Sequence, residues 1–108
     1  MELSDKKCLA CEGGVAALSL VEAKTLLNKL NAWEISADHK NISKTFHFKN
    51  YYQTMAFVNV IAWISHQENH HPDLSVHYNK CIVNYMTHAI NGLSENDFIC
   101  AAKIDILI

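Results

Sequence analysis

The sequence predicts an α+β domain: three helices on one face of a four-stranded antiparallel sheet, in the order α-β-β-α-β-β-α. Three observations carry this. Apolar residues recur in three segments, each opened by a capping residue, Ser19, Asn50 or Ser94. Between the segments lie two pairs of strand-like stretches, each pair joined by a short polar turn. A chain of 108 residues, half of them hydrophobic, suffices for one core, and three glycines and one proline leave little room for linkers.

Residues 1–17 show no periodicity and read as a flexible lead-in to a single domain over 18–108. Ser19 and Glu22 form a capping-box pattern. A helix follows from Leu20 to about Leu30, with Ala23, Leu26, Leu27 and Leu30 on one face. Trp33-Glu34-Ile35 opens a strand, and 38–41 is a polar turn. From Ser43 to Lys49 the chain alternates, Phe46 and Phe48 on one face against Thr45, His47 and Lys49 on the other. Asn50 caps a long helix from Tyr51 to about Asn69. It is apolar on most sides between Met55 and Ile64 and is expected to be the most buried helix. Pro72 disfavours helical geometry at His71 and ends it.

Leu74–Tyr78 and Cys81–His88 alternate, and Asn79-Lys80 reads as a two-residue hairpin turn. Gly92 breaks the chain. Ser94 and Asp97 resemble a second capping box, with Leu93 and Phe98 as a hydrophobic staple, and a last helix runs to about Asp105.

Charge excludes some partners. The net charge is −2, arginine is absent and lysines form no long run. Phosphate-backbone binding needs clustered positive charge, so neither a nucleic acid nor an anionic membrane surface is expected. No stretch approaches the ~20 apolar residues of a membrane span. Residues 1–7 lack the apolar stretch of a signal peptide. A cytoplasmic, reducing location is expected, with the four cysteines as thiols.

The chemistry-bearing pattern is His70-His71-Pro72 followed by Thr87-His88. Histidine, with an unperturbed pKa of ~6.5, serves as acid or base near neutrality. If Asn79-Lys80 is the turn, Val76 faces Val83 and Leu74 faces Tyr85. Extending that register sets His88 across from His71, on the more polar sheet face. The three imidazoles should then converge. His77 lies roughly 20 Å along the strand from His71 and should not take part. His39 and His47, on the other hairpin, should be solvated.

Metal binding is the sharpest rival. His66 and His70 stand i, i+4, a spacing that chelates zinc on a helix, yet no complete ligand set is visible, Asp73 being the nearest acidic candidate. Cys8 and Cys11 form a lone CxxC with neither a second ligand pair nor a strand-to-helix context, and read as surface thiols. The capping box alone would explain Asp97. Trp33 and Trp63 are expected in the core.

Taken together, Phe46 to Tyr51, His70-His71-Pro72-Asp73, Tyr78-Asn79-Lys80, Thr87-His88 and Gly92 to Asp97 resemble the pterin-4a-carbinolamine dehydratases in order and spacing. The resemblance runs from about Ser19 to Asp105, and the Cys8/Cys11 lead-in resembles extensions on bacterial members. It implies dehydration of 4a-hydroxytetrahydropterin to quinonoid dihydropterin with neither a metal nor an organic cofactor. The product feeds the pterin cycle of aromatic amino acid hydroxylases, chiefly phenylalanine hydroxylase. The resemblance also implies His70, His71 and His88 as catalytic residues, Pro72, Thr87 and Asp97 as substrate-binding residues, and a homodimer or homotetramer. Ala89 departs from the pattern, since an acidic residue commonly follows Thr87-His88 in the family. So does Asn91, where a small residue is usual. The alternative is a non-catalytic, dimeric interaction module, coactivator-like, on the same fold.

Overall fold

The computed structural model describes residues 2–9 and 16–108. Its elements are α1 (Leu20–Leu27), β1 (Glu34–Ile35), β2 (Ile42–His47), α2 (Tyr51–Glu68), β3 (Asp73–Val76), β4 (Lys80–Tyr85) and α3 (Glu95–Asp105), with short 3-10 turns at Leu3–Asp5 and His88–Ile90. The helices begin where side chains satisfy free backbone donors. The Ser19 hydroxyl accepts from Glu22 N while Glu22 Oε1 accepts from Ser19 N. Asn50 Oδ1 accepts from Gln53 N at 2.9 Å. Asp97 reaches back to Ser94 at the start of α3. α1 stops earlier than its apolar pattern, and Leu30 continues as a turn.

The sheet is antiparallel, in the order β1-β2-β4-β3. Ile42, Phe46, Cys81, Val83 and Tyr85 face the helices and are buried, and the three helices lie on that side. The β3–β4 register departs from expectation by two residues: Leu74 pairs with Val83 and Val76 with Cys81. The turn residues are Tyr78 and Asn79, closed by His77 N donating to Lys80 O at 2.9 Å. Tertiary contacts set this turn. The buried Thr54 hydroxyl donates to Tyr78 O, and Phe48 N donates to Asn79 O at 2.8 Å. A shift of two residues keeps every side chain on its predicted face.

Burial differs from expectation in two places. The most buried helix is α3, with Asn96 to Ala102 and Ile104 all inside. The reason is that α3 is covered by α1, α2 and the N-terminal segment at once. α2 turns only Thr54, Phe57, Ile61 and Ile64 fully inward. Trp33 is a core residue, edge-on to Phe46 and tilted against Tyr85. Trp63 is not, being 63% exposed on the outward side of α2. Residues 2–9 do not behave as a loose lead-in: Leu3 is buried, Lys103 Nζ donates to Ser4 O, and Lys6 pairs with Glu95 at 3.0 Å. Cys11 lies outside the described residues.

Candidate active site

α2 ends before Pro72 acts. Asn69 takes the left-handed conformation (φ 51°), and its N–H closes on Ser65 O. Asparagine tolerates that geometry, and it swings His70 off the helix axis. His70 is therefore not on the helix with His66, and the i, i+4 spacing of the rival zinc reading does not set the two rings on one helical face. Instead His70 Nε2–H donates to Asp97 Oδ1 at 2.7 Å. Asp97 is wholly buried. Its other oxygen accepts from Thr87 Oγ1 at 2.8 Å and from Ser94 N at 3.0 Å, and Ser94 Oγ–H donates to Thr87 Oγ1 at 2.7 Å.

A capping residue thus doubles as the anchor of a histidine. The Tyr85 ring stacks on His70, 8° from parallel with centroids 5.7 Å apart. Burial, then the adjacent Cys100 thiol, pushes the Tyr85 phenol up and keeps it protonated.

Beside this anchor lies a cleft of about 480 Å³, within the range of small-molecule sites. His70, His71 and His88 all line it, with Met86, Thr87 and Ala89 alongside. His71 and His88 are exposed to it, while the His70 side chain is only 12% exposed. His88 arrives from the 3-10 turn rather than from the strand: β4 stops at Tyr85, and Thr87 bridges to Gly92. Gly92 is required there because a Cβ would meet Ala17 Cβ at 2.7 Å. Of the expected substrate-binding residues, Thr87 lines the cleft with its hydroxyl committed to Asp97, whereas Pro72 and Asp97 do not line it. His77 lies elsewhere, its Nε2 bonded to the Ser75 hydroxyl, and His39 and His47 are exposed.

Cys8, Leu9, Gln67, Glu68, Asn69 and Asn96 complete the lining, none of them among the expected site residues. No local periodicity marks these positions. Cys8 is half-buried rather than a surface thiol, with its Sγ 3.5 Å from Cys100 Sγ. The Cys100 contact and burial push the Cys8 thiol up, away from the thiolate. Among the described residues no group of three or more His, Cys, Asp or Glu side chains is arranged to hold a metal ion.

With Nε2–H donated to Asp97, His70 keeps Nδ1 for exchange, and the carboxylate fixes the ring's orientation. Three imidazoles around one cleft can deliver a proton at one atom of a bound molecule and remove one at another.

The model of the family "Pterin 4 alpha carbinolamine dehydratase" matches residues 16–107. The Nitrosomonas eutropha protein named "Putative pterin-4-alpha-carbinolamine dehydratase" is 63% identical, over 99% of this chain and 94% of its own. The Legionella pneumophila (strain Corby) protein of the same name is 59% identical, over 99% and 96%. A solved transcriptional coactivator/pterin dehydratase from Brucella melitensis superposes with a TM-score of 0.80 at 27% identity, over 84% of this chain and 97% of its own. A pterin dehydratase-like RuBisCO assembly factor of the alpha-carboxysome shares the fold, with a TM-score of 0.62 at 23% identity, over 71% and 89%. Matched along nearly its whole length by these relatives and by the family model, the chain belongs to the pterin 4 alpha carbinolamine dehydratase family.

Proposed function

We propose that this chain dehydrates 4a-hydroxytetrahydropterin to quinonoid dihydropterin by histidine acid–base catalysis. The observation that carries the reading is the meeting of His70, His71 and His88 on one cleft, with His70 locked by buried Asp97. The reaction delivers a proton to the C4a hydroxyl, which leaves as water, and removes the proton on N5 as the C4a–N5 double bond forms. His71 and His88, both exposed to the cleft, bracket that bond and exchange these two protons. His70 meets the pterin from the side through Nδ1. Asp97 and Thr87 hold His70 and the His88 turn, and Pro72 holds the His71 backbone extended. No step calls for a metal or an organic cofactor. The product serves cytoplasmic recycling of the pterin used by aromatic amino acid hydroxylases, phenylalanine hydroxylase first among them. Turnover of enzymatically generated 4a-hydroxytetrahydropterin above the spontaneous rate is the expected result; dehydration at the spontaneous rate would end the reading.

A second reading, a dimeric interaction module without catalysis, is favoured by two observations. Tyr52, Val60 and Trp63 stand exposed on the outer side of α2. The departure at Ala89 also fits it. Intact histidines with a buried anchor favour catalysis, and the same exposed side chains are accommodated by a homodimeric or homotetrameric enzyme.

A further inference from the structure

Residues 2–9 lie outside the stretch matched by the family model, yet they are fastened to the matched domain beside the cleft. Leu3 is buried against α3, and Lys103 and Lys6 hold Ser4 O and Glu95. Cys8 N donates to Glu68 Oε1 at 2.8 Å. The Asn96 amide engages both backbone groups of Leu9, accepting from Leu9 N at 3.0 Å and donating to Leu9 O at 2.5 Å. A side chain that pairs with both groups of one peptide residue holds it as a neighbouring strand would.

This fastening serves an unusual outcome. Leu9 is tied through both backbone groups, lines the cleft, and is 77% exposed. An exposed apolar residue lining a polar cleft is stabilised when a flat, partly apolar molecule packs on it. The neighbouring Cys8 thiol is pushed up by Cys100 and by burial, away from the nucleophilic thiolate.

We infer that residues 2–9 form an accessory wall of the pterin cleft, in which Leu9 contacts the bound pterin and Asn96 acts as a positioning residue for Leu9. The inference rests on the dehydratase reading for the identity of the ligand. It also predicts a kinetic signature. A wall that touches the pterin equally before and during reaction changes binding and not the chemical step, so KM moves and kcat does not.

The test compares wild type with Leu9→Ala, Asn96→Ala, their double variant, and a chain lacking residues 2–9, with folding checked by circular dichroism. Each is assayed for dehydration and titrated calorimetrically with 7,8-dihydrobiopterin. Leu9→Ala should raise KM and the dihydrobiopterin Kd roughly threefold to tenfold, as expected for losing part of one leucine's burial, with kcat within about threefold. The deletion should raise both constants at least as far. If Asn96 acts through Leu9, the double variant should match the larger single effect. Unchanged KM and Kd in a folded Leu9→Ala, beside an active wild type, would overturn the wall and leave the dehydratase reading standing. A wild type that binds dihydrobiopterin without turnover would remove the dehydratase reading, and the Kd series would still decide the wall. A wild type that neither turns over nor binds would overturn both. If the deletion does not fold, Leu9→Ala decides.

Discussion

At the scale of single residues, Asp97 organises the site. It accepts from His70, Thr87 and Ser94 while wholly buried. Asp97→Ala would leave those donors unpaired and should destabilise the fold by about 3–5 kcal/mol, measured by urea unfolding. Asp97→Asn keeps the shape but turns an acceptor into an ambiguous amide and releases the His70 tautomer. It should lower kcat by roughly 10²-fold or more with a smaller loss of stability, read from parallel kinetics and unfolding. A second residue-level prediction concerns thiols. Cys8, raised by Cys100 and burial, and Cys81, raised by burial, should resist iodoacetamide at pH 8 in the native protein and react on denaturation, as peptide mass spectrometry would report. The residues legible beforehand were those with chemical identity: the three histidines and the capping pair Ser94 and Asp97. Asp97 could be placed at a cap from its spacing, but nothing local shows that its free oxygen meets a histidine 27 residues away. Leu9 and Asn96 were invisible for the same reason, since their pairing joins opposite ends of the chain.

At the scale of elements, the caps were readable because capping chemistry is local, and all three helices begin within a residue of Ser19, Asn50 and Ser94. The hairpin turn was not. Its position is fixed by Thr54 and Phe48 from other elements, so the register fell two residues from the one expected. The face assignment survived because side chains alternate with period two. The end of α2 was attributed to Pro72, whereas Asn69 ends it first. Gly92 gives the element-scale prediction. Gly92→Ala drives a Cβ against Ala17 and strains the Thr87–Gly92 bridge that presents His88. It should cost about 1–3 kcal/mol, visible as a lowered urea midpoint.

For the whole molecule, the burial of α3 and the exposure of α2 belong together. A helix that looks apolar on most sides was expected inside, and the N-terminal segment covers α3 instead, leaving Tyr52, Val60 and Trp63 uncovered. Strand β3 is likewise exposed at the sheet edge. Exposed apolar faces and open edges favour self-association. Light scattering at micromolar concentration should therefore give a mass at least twice the 12.2 kDa of one chain; a monomer would contradict this. Activity should also survive exhaustive chelation, and loss with EDTA restored by zinc would contradict a cofactor-free reaction. The central claim, that the clustered histidines perform the dehydration, is tested most directly by steady-state kinetics on folded His71→Ala, His88→Ala, their double variant and the control His77→Ala. Each single change in the cleft should cut kcat by ~10²–10⁴-fold, the double should fall by less than the product of the singles, and His77→Ala should stay within about threefold of wild type. Full activity in the folded double variant would contradict the account.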